Sequence, residues 1–139
     1  MGLFDSFRHE VNLTPEVIFA LSKLYMIGSD GEISEEEEEE FIESIQQFDN
    51  PENVVNDAIN YWKNSHLDEF LERSKTILSR KQKLAVLVSM CHSLLADGDV
   101  DPSEQTLFDK FLAAFNISEE EFQPYIDSII WTFKFPKDQ

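Results

Sequence analysis

The side chains best suited to chemistry fall in two short acidic segments, GSDGEISEEEEEEF at 28–41 and LADGDVDPSEQTLF at 95–108. Each joins an Asp-Gly turn to a glutamate seven residues after the aspartate: Asp30 with Glu37, and Asp97 with Glu104. Carboxylates are hard oxygen donors, so the chemistry they offer is the holding of a hard divalent cation. A calcium loop of the EF-hand type wants acidic or amide oxygens at its first, third and fifth positions, glycine at the sixth and glutamate at the twelfth. With Asp30 as the fifth position, Gly31 and Glu37 fall where glycine and glutamate belong, but the first and third positions hold Met26 and Gly28. The second segment puts Ser93 and Leu95 there. A single loop therefore has too few oxygens to dehydrate calcium, and an independent EF-hand is excluded.

Two half-sites could make one site. If the two turns pack face to face, Asp30, Glu37, Asp97 and Glu104 converge on one ion, with Glu32 and Asp99 at the rim. Four carboxylates suit Ca²⁺, Mg²⁺ or Mn²⁺ better than zinc, which would favour His or Cys. Without an ion, such a cluster would need raised pKa values or cations borrowed from the protein. Arg80, Lys81 and Lys83 could supply them, since bases in the first turn of a helix oppose its dipole and call for an acidic partner. A second reading makes Glu37 and Glu104 capping residues beside ordinary Asp-Gly turns. A third makes the acidic surface a docking patch for a protein.

The elements that must position these residues are helical. Ile18, Leu21, Leu24 and Tyr25 recur at helical spacing, as do Leu84, Leu87, Val88, Cys91 and Leu95, and no alternating strand pattern appears. Thr14-Pro15, Asn50-Pro51 and Asp101-Pro102 each set a capping side chain before a proline at the first helical position. Ser34 with Glu37, and Ser118 with Glu121, spell capping boxes. These signals predict seven helices, at about 14–29, 34–49, 51–64, 66–78, 80–96, 102–115 and 119–133. Pro124 is expected to break or kink the last.

The segment from Val17 to Phe48 aligns without a gap on Leu84 to Phe115 at an offset of 67 residues. At that offset Gly31 meets Gly98, Ser34 meets Asp101, and Phe41, Ile45 and Phe48 meet Phe108, Leu112 and Phe115. The unit is helix, acidic loop, helix, present twice: repeat 1 about 14–49, connecting helices about 50–79, repeat 2 about 80–133. Of the six glutamates Glu35–Glu40, only Glu37 has an acidic counterpart, Glu104. Both lie one turn before an aromatic residue, on the inward stripe. The others, Glu35, Glu36, Glu38, Glu39 and Glu40, read as a solvated face that complements the helix dipole and could dock a basic partner. The expected architecture is an all-α compact bundle of two such repeats with pseudo-twofold symmetry.

Composition narrows the function classes. The 139 residues suit one domain. With 28 acids against 11 bases the net charge is −17, which argues against nucleic acid and favours cations or basic partners. Five of the bases, Arg73, Lys75, Arg80, Lys81 and Lys83, cluster centrally. Cys91 alone cannot build a disulfide framework and fits a reducing cytoplasm. No apolar run approaches the ~20 residues that span a bilayer, so direct membrane insertion is not expected. The start MGLFDSF lacks signal-peptide character. It matches a loose myristoylation pattern through Gly2 and Ser6, though an amphipathic segment packed on the body is the expected reading.

The pattern DGEISEEE, duplicated as DGDVDPSEQ with an aromatic in the next turn, resembles the tellurite-resistance TerB-like family over about residues 14 to 133. The resemblance implies a helical bundle of pseudo-twofold symmetry with an acidic cluster thought to bind metal. It implies a role in tellurite and wider stress resistance, in the cytoplasm and at the inner membrane through a TerC-type membrane partner. The family's acidic positions carry over to Asp30, Glu37, Asp97 and Glu104. Departures are the Gly28-Ser29 lead-in, the extended glutamate run and Pro124.

No catalytic constellation stands out, and no enzyme or organic cofactor is expected. Cys91 and His92 point about 100° apart on a helix and cannot act as a pair. Cys91 reads as a core thiol and His92 as packing, since it matches Tyr25 at the repeat offset. His9 and His66 carry little signal. Trp62 and Trp131 are expected in the core. Phosphate loops, zinc spacings and serine elbows are absent from the sequence.

Overall fold

The structure, a computed structural model, describes residues 13–29, 32–96 and 100–133. Among the described residues it has seven helices and no strand: α1 Pro15–Ile27, α2 Glu35–Ile45, α3 Pro51–Asn64, α4 Leu67–Ile77, α5 Arg80–Ala96, α6 Pro102–Ala114 and α7 Glu119–Phe133. Helix α1 is the hub, packed chiefly on α3 and α5 and also touching α2, α4 and α6. Helix α5 is a second hub, between α1, α6 and α7. Phe70, Phe111 and Phe122 are fully buried, and Phe70 meets Tyr25, Tyr61 and Phe111 at ring separations of 5.1, 6.0 and 5.9 Å. That aromatic chain joins α1, α3, α4 and α6.

Caps set most of the helix ends. Thr14 Oγ1 accepts from the Val17 amide at 3.3 Å, and Asp101 Oδ1 from the Ser103 amide at 2.8 Å. Ser118 and Glu121 exchange backbone-to-side-chain bonds, as do Ser79 and Gln82, a capping box at the start of α5 that the sequence reading passed over. Helix α6 closes with the Asn116 amide on the Ala113 carbonyl and the Ile117 amide on that of Leu112. Asn116 takes the left-handed conformation this turn needs, φ 56°, and the buried Leu112 and Ile117 complete the motif.

Four expectations are corrected. Asn50 makes no side-chain cap to α3. Helix α2 stops at Ile45 instead of near 49, because the chain tightens: the Gln46 amide bonds the Glu43 carbonyl and the Phe48 amide that of Ile45. Of the break or kink expected at Pro124, the break does not occur: helix α7 is continuous through it. The proline falls in the second turn, so the carbonyl it leaves unpaired is that of water-exposed Glu120, while Phe122 and Ile129 stay buried on either side. Trp131 is 63% exposed, on the side of α7 away from those two anchors, whereas Trp62 is half-buried against the core. Residues 1–12, with Gly2, Ser6 and His9, lie outside the described residues.

Candidate functional site

Each acidic loop leaves one helix and enters another, and the described parts of both meet. Helix α1 ends with the Gly28 amide on the Leu24 carbonyl at 2.9 Å, and Ser29 follows. Ser29 Oγ lies 3.5 Å from Ser103 Oγ in the first turn of α6, although the two are 74 residues apart in sequence. Ser29 directly precedes Asp30, and Ser103 directly precedes Glu104. The contact therefore brings the entry to the first loop onto the turn that carries the glutamate of the second. Asp30, Asp97 and Asp99 lie outside the described residues.

The two glutamates singled out by the repeat differ from their neighbours in burial. Glu37 and Glu104 are partly withdrawn from solvent, while Glu35, Glu36, Glu38, Glu39 and Glu40 are exposed, as is the rim residue Glu32. Glu37 Oε1 accepts from the Ser34 amide at 3.0 Å, and Ser34 Oγ accepts in return from the Glu37 amide at 3.1 Å. This is a complete capping box. It occupies one carboxylate oxygen and leaves the second for another partner. Among the described residues no group of three or more acidic, His or Cys side chains is arranged to hold a metal.

Two members of the basic cluster pair with other acids. Arg80 pairs with Glu121 at the start of α7, Lys75 with Glu72, and the Arg73 guanidinium lies 5.7 Å from the Tyr61 ring centroid. Lys81 and Lys83 form no ion pair among the described residues. Glu121 sits below the usual carboxylate range because the Ser118 amide and then Arg80 donate to it. Lys23 feels the charge of Glu40 at the end of the glutamate run, and its ammonium lies 5.6 Å from the Phe19 centroid. Burial pulls its pKa down, with Glu40 opposing.

Cys91 is buried, which raises its thiol pKa. The His92 ring packs on Phe133 at 4.8 Å. Tyr25, at the position matching His92, has its hydroxyl pushed up to about 12 by burial first, then by Tyr61 and Glu69. Among the described residues, the buried hydroxyls of Tyr25 and Ser74 have no hydrogen-bond partner.

Sequence reasoning named Gly28-Ser29 only as a departure in the lead-in and gave Ser103 no role; Gly28 also aligns with the unlike Leu95 at the repeat offset. A Cβ on Gly28 would stand 3.0 Å from the Leu24 carbonyl oxygen and 3.1 Å from Trp62 Cζ2, so the missing side chain lets the indole in.

The model of the tellurite resistance protein TerB family matches residues 16–125. The chain belongs to the TerB family. That match covers both acidic loops and most of the seven helices, so TerB membership and the all-α fold agree. No curated protein and no solved structure gives a significant match. Among the described residues no helix of this TerB protein is long and apolar enough to cross a membrane.

Proposed function

We propose that this TerB protein is a non-catalytic tellurite- and stress-resistance module that binds one divalent cation between its two repeats. Asp30, Glu37, Asp97 and Glu104 are the ligands, Glu32 and Asp99 stand at the rim, and Ca²⁺, Mg²⁺ or Mn²⁺ is the ion. The observation that carries this reading is the approach of Ser29 to Ser103, which joins the lead-in of one half-site to the glutamate turn of the other. The partial withdrawal of Glu37 and Glu104 from solvent supports it, as does the engagement of Arg80 with Glu121. Oxygen-only donors on two loops suit a hard ion of flexible coordination. The bound ion would fix the packing of the two halves about an approximate twofold axis. It would thereby tune docking to a protein partner, a TerC-type membrane protein being the candidate, from the cytoplasmic side.

Calorimetry with each ion, and NMR of the Gly31 and Gly98 amides, test this. Simultaneous shifts of both amides are expected at one equivalent of ion. No heat and no shift at millimolar ion would discard it. A second reading, an ion-independent domain that presents Glu35–Glu40 to a basic partner, is favoured by the exposure of five of those six side chains. Reversing the charge of Glu38 and Glu40 should harm docking in that case and leave the ion site intact.

A further inference from the structure

Beside the point where the chain enters α1, the surface opens into a hollow of about 220 Å³. Pro15 and Phe19 of α1, Phe48 after α2, Leu78 after α4, and Ala85 and Val86 of α5 line it. The Phe19 and Phe48 rings meet edge to face at 5.7 Å, and Leu78 and Val86 are buried, so its walls are largely apolar. Its polar lining residues, Glu16, Gln47 and Gln82, are exposed. A second hollow of about 280 Å³ shares Glu16, Gln47 and Phe48 with the first and extends to Asp49 and Val54. The two make one groove along the start of α1.

The nearest candidate to fill this groove is the chain that leads into it. Leu13 is buried, Thr14 caps α1, and Pro15 and Glu16 line the groove, so residue 12 is joined close to its edge. In the twelve residues before Leu13, MGLFDSFRHEVN, the apolar Leu3, Phe4, Phe7 and Val11 fall at helical spacing within one stripe about 100° wide. Asp5, Ser6, Arg8, His9 and Glu10 fall outside that stripe. A helix of ten residues is about 15 Å long, and a connection as short as residues 12–14 is ordinary between packed helices. A segment tethered this closely meets the groove at an effective concentration of about millimolar. Arg8 also gives it a base for the exposed acids Glu16 and Asp49.

We propose that residues 1–12 dock in this groove of their own chain, with Leu3, Phe4, Phe7 and Val11 against Phe19, Phe48, Leu78 and Val86. The polar side of the segment faces water, and Arg8 lies toward Glu16 and Asp49. Seated there, the segment ties α1 to the turn after α2 and to α5, and it closes this face to other partners. The inference requires neither the ion nor the acidic run of α2.

The test uses the full chain carrying a nitroxide on Ser6→Cys, a position off the apolar stripe; Cys91 is buried and stays unlabelled. The amide signals of Phe48, Gln82 and Ala85 are expected to lose intensity, while those of Ser29 and Ser103, at the far end of α1, keep theirs. Phe4→Asp combined with Phe7→Asp should restore the lost intensity. Ala85→Trp, which fills the groove from an exposed wall position, should restore it too and leave the fold unchanged by circular dichroism. Intensity lost around Ser29 and Ser103 instead, or none lost at Phe48, Gln82 and Ala85, would overturn the seat. A loss that persists in Ala85→Trp would refute the placement. When isotope-labelled chains without nitroxide are mixed with nitroxide-bearing chains, no loss is expected; a loss there would make the occupant the segment of a second copy and overturn docking within one chain.

Discussion

Replacing both Glu37 and Glu104 by glutamine separates capping from ion binding. A glutamine at the third helical position keeps the carbonyl that receives the Ser34 amide, a bond of 3.0 Å in the native chain, so the capping box survives. The charge does not. Losing a carboxylate near a helix start costs about 0.3–1 kcal/mol per site, and three further acids remain in the first turn of α2. A cation held at about one hundred times its dissociation constant stabilises the fold by ~2.7 kcal/mol. With an unfolding entropy of ~2.1 cal/mol/K per residue, 139 residues give about 0.29 kcal/mol/K. The wild-type melting point should therefore rise by roughly 9 °C with the ion, while in the double variant that rise falls below about 2 °C. The ion-free variant should lose no more than about 7 °C, since relief of acidic repulsion offsets part of the dipole loss. Differential scanning calorimetry with Ca²⁺, Mg²⁺ and Mn²⁺ measures both quantities. A double variant that keeps the full rise refutes Glu37 and Glu104 as ligands.

Phe70→Ala removes the fully buried ring that touches Tyr25, Tyr61 and Phe111, and should cost about 3–5 kcal/mol, or roughly 10–17 °C by thermal melting. Cys91 should resist a thiol reagent at pH 8 in the native chain and react fully in denaturant, because burial both shields it and raises its pKa. Glu121, with its folded pKa lowered by Ser118 and Arg80, contributes stability that is fully present above the unfolded glutamate pKa of about 4.3 and lost as pH falls through the folded value. Glu121→Gln should accordingly lower stability at neutral pH, change little once pH falls below the folded Glu121 pKa, and so flatten the acid limb of the stability profile. Iodide should quench exposed Trp131 far more than Trp62, and Trp131→Phe should remove most of the quenchable fluorescence.

The helices were legible where a chemical stop or start is written in the chain. Thr14-Pro15, Ser34 with Glu37, and Asp101-Pro102 placed their helix starts within a residue, because cap and proline act on the backbone locally. The end of α2 was misplaced because nothing between Gln46 and Asn50 forbids helix; the chain tightens there instead. Trp131 was misassigned because α7 carries apolar residues on two sides, and spacing alone does not say which side meets α5. The repeat pointed correctly to Glu37 and Glu104 as the partly withdrawn acids of their turns. The meeting of Ser29 with Ser103 was beyond the sequence, since it depends on how α1 crosses α6 and no motif encodes that crossing.

Helix α2 is anchored by the buried Phe41 and Ile45, with most of its remaining surface turned to water. The folding free energy is therefore little affected by which polar residues occupy the exposed positions, and Pro102, Ser103, Gln105 and Thr106 stand exposed at the matching positions of α6. Electrostatic reach at a distance thus becomes a property that mutation can adjust almost separately from architecture. Homologues sharing this scaffold could differ widely in how far they attract or repel charged neighbours, at little cost to the stability of the bundle.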